Sequence, residues 1–256
     1  MKIAKYSASG NDFILFCSNE KKDRSNLAKI LCDRHEGIGA DGLIVVVPNK
    51  KYDFEWQFYN NDGSKADMCG NGSRACAHYA YTNNIAKKNM SFLTDAGEIQ
   101  ATIFEDSMVE VKLTKPKKVS DKFVENGFEW HFYDTGVPHL VAVVSSLDEF
   151  DESIAKVMRE KYNANINFVV IKNDVLYVRT FERGVEAETQ ACGTGMAACF
   201  CIANKLNHEL TKVKVIPKSQ EKVYFQFEDG YIYFKGKVKH TFTAKIEKDL
   251  VDEDSF

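Results

Sequence analysis

Short runs of aromatic and β-branched residues recur along this chain, each closed by turn formers, and they predict a protein built mostly from strands. In the first half the runs are Phe13 to Cys17, Leu43 to Val47, Phe54 to Tyr59, Gln100 to Phe104 and Met108 to Leu113. In the second half they are Val141 to Val144, Phe168 to Ile171, Leu176 to Phe181, Val223 to Phe227 and Tyr231 to Phe234. The last two flank Glu228-Asp229-Gly230, which predicts a hairpin. Two segments carry the period of amphipathic helices instead, Ser25 to Arg34 and Leu147 to Tyr162.

The charged, Pro-containing stretch Thr114 to Ser120 is the expected domain junction. It divides the chain into an N-terminal part, 1–116, completed by a C-terminal strand in 239–256, and a second part, 117–238. The two parts share a motif. Met68-Cys69-Gly70-Asn71-Gly72-Ser73-Arg74-Ala75-Cys76 in the first corresponds to Ala191-Cys192-Gly193-Thr194-Gly195-Met196-Ala197-Ala198-Cys199 in the second. Both read Cys-Gly-x-Gly-x-x-Ala-Cys. A glycine turn stands upstream of each: Gly10-Asn11-Asp12-Phe13 before Cys69, and Gly136-Val137-Pro138-His139 before Cys192. Near-equal spacing of paired turns implies an internal duplication.

After Cys-Gly-x-Gly each motif becomes rich in alanine, which predicts a helix with its leading cysteine at the N-terminus. Unpaired N–H groups and the helix dipole favour an anion there. Two expectations follow. The thiol pKa should fall, giving a thiolate near neutral pH. The N–H groups of Gly70, Asn71, Gly193 and Thr194 should be able to hold a carboxylate. If the two parts face each other about a pseudo-twofold axis, a carbon between them has a thiolate on one face and a thiol on the other. That arrangement suits inversion of a stereocentre without a cofactor. The remaining cysteines, Cys17, Cys32, Cys76, Cys199 and Cys201, sit among apolar neighbours and read as small core residues.

Composition narrows the function classes. The 256 residues are 44% hydrophobic and 28% charged, ordinary for a globular protein. With 34 basic and 37 acidic side chains the net charge is −3, so no basic excess points to nucleic acid. No secretory signal opens the chain and no apolar stretch reaches bilayer length, so a cytoplasmic protein without membrane contact is expected. Seven cysteines fit reduced thiols better than a disulfide framework. Cys199-Phe200-Cys201 and the scattered histidines lack zinc-site spacing, so no metal is expected.

The ordered set of motifs resembles the diaminopimelate epimerase family nearly end to end. It is carried by Ser9-Gly10-Asn11-Asp12-Phe13, Gly39-Ala40-Asp41-Gly42, Asn60-Asn61-Asp62-Gly63-Ser64 leading to Cys69, and Thr94-Asp95-Ala96-Gly97. Thr135-Gly136-Val137-Pro138-His139, Glu182-Arg183-Gly184 and Glu188-Thr189-Gln190-Ala191-Cys192-Gly193-Thr194-Gly195 complete it. The resemblance implies an α/β (α+β) fold of two pseudo-symmetric lobes, each a mostly antiparallel β-sheet wrapped around a central helix, with the active site between them. It implies cofactor-independent interconversion of LL- and meso-diaminopimelate, on the path to lysine and peptidoglycan, by a homodimer acting on a small molecule. By motif match, Cys69 and Cys192 are the acid/base thiols and His139 and Glu182 assist at the reacting centre. Gly70, Asn71, Gly193 and Thr194 bind the α-carboxylate, and Asn11, Asn60, Asn165 and Arg183 recognise the distal end.

Three departures touch that distal end. Some relatives in the family carry Asn where this chain has Val137, and some carry Gln near Gly42. The segment Gly184-Val185-Glu186-Ala187 is one residue longer than the usual form. The residues alone leave three other readings open. They are a two-cysteine proline or hydroxyproline racemase, a non-catalytic amino-acid-binding protein, and a thiol–disulfide enzyme.

Overall fold

The computed structural model describes residues 2–246, which divide into two units, 2–111 with 236–246, and 112–235. The first begins with strands β1 (Lys2–Ala8) and β2 (Asn11–Cys17), antiparallel about Ser9 and Gly10. Both corner residues have positive φ, 55° and 88°, as a tight two-residue hairpin requires. Helix α1 (Ser25–Cys32) leads to β3 (Gly42–Val47), parallel to β2, and β4 (Phe54–Asn60) returns antiparallel. Helix α2 (Gly70–Thr82) leads to β5 (Asn89–Thr94), parallel to β4, and β6 (Gly97–Ile103) pairs antiparallel with β5. Strand β7 (Met108–Lys112) closes the run.

All six residues of β3 are buried, which accounts for its unbroken apolar sequence. On one side α1 lays Leu27, Ala28, Leu31 and Cys32 against Leu43, Val45 and Val47. Helix α2 touches β1, β2, β3 and β6, so the sheet curls around it. Every residue from Gly70 to Ala80 is buried. A helix enclosed on all sides needs small residues where strands approach, and the glycines and alanines of this segment supply them.

The second unit holds the short strands β8 (Lys117–Lys118) and β9 (Phe123–Glu125) against β10 (Phe128–Asp134). Strand β11 (Pro138–Val143) pairs antiparallel with β10. Helix α3 (Glu152–Tyr162) leads to β12 (Asn165–Lys172), parallel to β11, and β13 (Val175–Glu182) returns antiparallel with the two-residue β14 (Ala187–Glu188) at its end. Helix α4 (Gly193–Leu206) leads to β15 (Lys212–Pro217), parallel to β13, followed by antiparallel β16 (Val223–Glu228) and β17 (Tyr231–Lys237). Helix α4 touches β10, β11, β12, β13 and β15, and Gly193 to Ala203 are all buried.

The sequence of pairings from β1 to β6, antiparallel, parallel, antiparallel, parallel, antiparallel, is therefore repeated from β10 to β16. In both units the helix opened by the cysteine motif forms the second parallel crossover and is the enclosed one. After the second unit, β18 (Lys239–Lys245) returns to pair antiparallel with β1. The strand expected over 239–256 continues into residues 247–256, which lie outside the described residues.

Some expectations need correction. Leu147 to Tyr162 is not one helix: Leu147–Glu149 is a single 3-10 turn, and Asp151 then starts α3 by accepting from the N–H groups of Ser153 (2.8 Å) and Ile154 (3.1 Å). Its carboxylate satisfies donors that a continuous helix would not have exposed. The first helix stops at Cys32, short of Arg34. No disulfide joins any of the seven cysteines. Cys32, Cys76, Cys199 and Cys201 are buried as expected, but Cys17 is exposed at the end of β2, its sulfur 3.2 Å from the Tyr79 hydroxyl. Among the described residues no helix is long and apolar enough to cross a membrane.

Candidate active site

Cys69 is the N-cap of α2, with extended backbone (φ −146°, ψ 117°), and its carbonyl accepts the first intrahelical bond from Ser73 at 2.8 Å. Its sulfur accepts the N–H of Gly72 at 3.3 Å. Cys192 occupies the same position on α4 (φ −112°, ψ 110°), with the N–H of Met196 on its carbonyl at 2.9 Å. Its sulfur lies 3.5 Å from the Thr194 hydroxyl. In each unit a thiol thus sits where helix N–H groups concentrate partial positive charge, the setting that favours a thiolate or a bound carboxylate.

Around Cys69 the neighbouring polar side chains form one network. Asn71 donates from Nδ2 to Asn11 Oδ1 at 2.5 Å, and Asn11 donates from Nδ2 to an Asp41 carboxylate oxygen at 3.1 Å. Arg74, fully buried, donates from Nη2 to Asn71 Oδ1 (2.7 Å) and to the Ser9 hydroxyl (2.8 Å). Arg34 bridges Asp41 (2.8 Å) and Asp12 (2.9 Å), and Lys5 is 2.9 Å from Asp12. Burial works to raise the Asp12 pKa, but hydrogen bonds and charge from Arg34 and Lys5 outweigh it and hold the carboxyl below its ordinary range. Asn60 is held separately, donating to the Ser64 hydroxyl at 2.9 Å within its own turn. The next residue ties that turn to Asp41, through Asn61 N–H on the Asp41 carbonyl at 3.1 Å.

In the second unit β11 and β12 set His139 and Asn165 side by side in parallel register. His139 is fully buried, with Nε2 2.9 Å from the Thr194 hydroxyl and Nδ1 3.1 Å from Asn167 Nδ2. Burial, aided by the charge of Arg183, pushes its pKa down to about 3, so the ring is neutral at physiological pH. The Thr135 hydroxyl donates to the Thr194 carbonyl at 2.8 Å, fixing the first turn of α4. Asn165 donates to the Pro138 carbonyl (3.2 Å) and accepts the Arg183 N–H (2.9 Å). The Arg183 guanidinium in turn donates to the Asn163 carbonyl at 3.0 Å. Glu182 ends β13 opposite Ala187.

The structure therefore brings Cys69, Gly70, Asn71 and Asn11 together in one unit, with Asn60 in an adjoining turn. In the other it gathers Cys192, Gly193, Thr194 and His139, with Asn165 bonded to Arg183 and Glu182 next in chain. Sequence reasoning gave no role to Arg74, Ser9, Thr135 or Asn167. One signal was available for Asn167: Asn165 and Asn167 are polar on a strand face that otherwise carries Val169 and Ile171. Among the described residues no group of three or more His, Cys, Asp or Glu is arranged to hold a metal ion.

A Cβ on Gly42 would lie 2.6 Å from the Phe58 ring and 2.8 Å from the Tyr59 carbonyl, so no longer side chain fits there. The longer segment after Glu182 folds into a turn, with Gly184 and Glu186 at positive φ and the Glu186 N–H on the Glu182 carbonyl at 2.8 Å. Arg159 pins it by an ion pair to Glu186 at 2.6 Å. Val137 is half-buried and its carbonyl accepts the Thr135 N–H at 3.2 Å, a backbone contact that any residue would make.

Comparison with known proteins adds a name to this geometry. The family model described as diaminopimelate epimerase matches residues 3–119 and 131–241. A diaminopimelate epimerase of a Nitratiruptor species is 56% identical over 243 residues, covering 94% of this chain and 97% of that protein. One from Campylobacter jejuni subsp. jejuni is 56% identical over 245 residues, covering 95% and 98%. Among solved structures, a probable proline racemase from Agrobacterium radiobacter superposes with a TM-score of 0.76 over 99% of this chain and 95% of its own. At 12% identity that likeness concerns the fold alone.

Proposed function

The chain belongs to the diaminopimelate epimerase family, and from that premise we propose that Cys69 and Cys192 are its two proton-transfer groups. The protein is an isomerase that interconverts LL- and meso-diaminopimelate in lysine biosynthesis. In the proposed mechanism one cysteine, as thiolate, removes the α-proton and becomes a thiol. The other, as thiol, delivers its proton to the opposite face of the same carbon and becomes a thiolate. The net result is inversion with one proton lost and one gained, and no electron-sink cofactor takes part.

The observation that carries this reading is the repetition of one cap: each thiol is the N-cap residue of an enclosed helix, on a crossover of identical topology. Inversion needs two bases of like strength, and two copies of one local structure are the simplest source of them. The negative charge that builds on the α-carboxylate falls to the first-turn N–H groups of Gly70, Asn71, Gly193 and Thr194. Each such donor is worth about 3 to 4 kcal/mol in known oxyanion sites. His139, as the neutral ring, and Glu182 assist at the reacting centre, while Asn11, Asn60, Asn165 and Arg183 hold the distal amino-acid group. The same reading places the protein in the cytoplasm, in keeping with seven thiols outside disulfides, as a homodimer that light scattering can check. Its product feeds peptidoglycan as well as lysine.

The test is incubation of reduced, cofactor-free protein with LL-diaminopimelate in deuterated water. Formation of meso-diaminopimelate with deuterium at one α-carbon is expected. Conversion of proline isomers in its place would move the substrate to the racemase branch, and no reaction with either would sink the catalytic reading.

A further inference from the structure

We propose that Asn167 is a positioning residue for this reaction: it holds His139 in the single tautomer that turns the Thr194 hydroxyl onto the Cys192 sulfur. The inference rests on the two-cysteine reading above and deepens it by naming what equips one thiol and not the other.

Asn167 lies in the middle of β12 and is fully buried. Its Nδ2 donates to the Leu140 carbonyl at 2.9 Å, lies at a longer 3.4 Å from the Asn165 carbonyl and faces His139 Nδ1 at 3.1 Å, while its Oδ1 accepts the Thr180 hydroxyl at 2.9 Å. A carbonyl only accepts, so the amide atom facing Leu140 is the nitrogen, and the Thr180 hydroxyl is matched to the oxygen. Amide nitrogen only donates, so His139 Nδ1 must carry a lone pair rather than a proton. A neutral imidazole then holds its proton on Nε2, which donates to Thr194 Oγ1 at 2.9 Å. With its oxygen accepting from the ring, the Thr194 hydroxyl has its own hydrogen to place, and the Cys192 sulfur is 3.5 Å away. The direction of every bond in this chain follows from the one amide.

The neutral state that the chain requires is also the state that burial enforces on His139. A protonated ring would set its Nδ1–H against the Asn167 N–H, donor against donor.

The motif contributes to the same arrangement. A Cβ on Gly195 would fall 2.3 Å from Asn167 Oδ1, so the second glycine of Cys-Gly-x-Gly admits the amide to the first turn of α4. Cys69 has a donor of its own, the Gly72 N–H, a backbone group that does not depend on Asn167. The two thiols are thus equipped by different means, and a change at Asn167 must fall on Cys192.

Two measurements test this without substrate, and a third adds steady-state kinetics. In the wild-type protein at neutral pH, side-chain nitrogen NMR of His139 should show the proton on Nε2. A proton on Nδ1, or on both nitrogens, overturns the proposal without any variant being made. In Asn167→Asp a carboxylate replaces the amide, draws a proton onto Nδ1, and leaves Nε2 to accept the Thr194 hydroxyl in place of the sulfur. Site-resolved alkylation by iodoacetamide should then slow about tenfold at Cys192 and less than about twofold at Cys69, while kcat falls on the order of a hundredfold with KM little changed. A misdirected histidine tautomer in a serine protease costs about 10⁴-fold, and His139 acts here one group further from the reacting thiol. Equal slowing at both thiols would mark Asn167 as merely structural and overturn the proposal. A wild-type protein that converts neither diaminopimelate nor proline isomers, with the tautomer and alkylation results as expected, would instead defeat the two-cysteine reading.

Discussion

Asn71 donates from its side-chain nitrogen to the Asn11 side-chain oxygen at 2.5 Å, joining the first turn of α2 to the start of β2. The bond settles what both amides can offer a ligand. Arg74 occupies the Asn71 oxygen at 2.7 Å, and the Asp41 carboxylate takes one hydrogen of the Asn11 nitrogen at 3.1 Å. Asn11 keeps one N–H for a ligand, a donor suited to the carboxylate of the substrate's distal end.

That polarity predicts the effect of Asn11→Asp. The isosteric change removes the donor and sets a second carboxylate against Asp41, where like charges at hydrogen-bond distance repel. KM for diaminopimelate should rise about tenfold or more, the equivalent of about 1.4 kcal/mol, with kcat less affected. Adding Asp41→Asn should recover part of the loss by relieving the repulsion. Steady-state kinetics of the single and double variants check this, and an unchanged KM in Asn11→Asp would remove Asn11 from the binding residues.

Replacing either thiol should nearly abolish epimerisation while the fold persists. Serine is too weak an acid to serve as the base near neutral pH, so Cys69→Ser and Cys192→Ser should each lose at least about 10²- to 10⁴-fold in kcat, the range general acid–base groups contribute. Unchanged circular dichroism with lost turnover is the expected pair of observations. Either variant retaining near-normal kcat would end the two-base assignment.

The parts of this site legible in the sequence were those encoded locally. Cys69 and Cys192 stood out because a cap and its first turn are contiguous, and the same contiguous pattern occurs twice. The pairings of Asn167 with His139 and of Arg74 with Ser9 were not legible, because those partners are remote, at 28 and 65 residues. Strands divided along the same line. Runs such as Leu43 to Val47 are enclosed on both faces and read as strands at sight. Strand β15 alternates Lys212 and Lys214 with buried Val213 and Val215, a weaker pattern that was missed. Strand β18 is exposed along nearly its whole length, and its place is set by backbone pairing with β1 rather than by any hydrophobic pattern.

His139 predicts how stability depends on pH. Its folded pKa, about 3, is below the unfolded value of 6.5, so the unfolded chain binds the extra proton between those limits. Stability contributed by keeping the ring neutral is complete above about pH 6.5 and is lost as pH falls toward 3, at up to about 1.4 kcal/mol per pH unit. Burial also lowers the pKa of His78 and of His131, so the test is a comparison. Urea unfolding of wild type and His139→Gln at pH 7.5 and 5 should show the variant losing less stability on acidification. Identical losses would contradict the assigned neutral state.

The corresponding glycines of the two motifs should respond differently to alanine. In α2 a Cβ on Gly72 meets nothing nearer than the Cys69 Cβ at 3.3 Å, and the Ile44 and Phe13 side chains at 3.4 and 3.5 Å. The crowding is slight, and alanine gains about 1 kcal/mol of helix propensity over glycine, so Gly72→Ala should fold with little change in stability. In α4 the Cβ of Gly195→Ala overlaps Asn167 Oδ1 at 2.3 Å and approaches the Cys192 Cβ at 3.3 Å. Asn167 is gripped by Leu140, Thr180 and His139 and cannot move aside without breaking those bonds. Overpacking of this kind costs about 1 to 3 kcal/mol, more than the propensity gain returns. Gly195→Ala should therefore be the less stable variant in chemical denaturation and should lose more of its kcat, because the displaced amide releases His139. Equal stability and equal kcat in the two variants would show that the second glycine of the C-terminal motif is not there to admit Asn167.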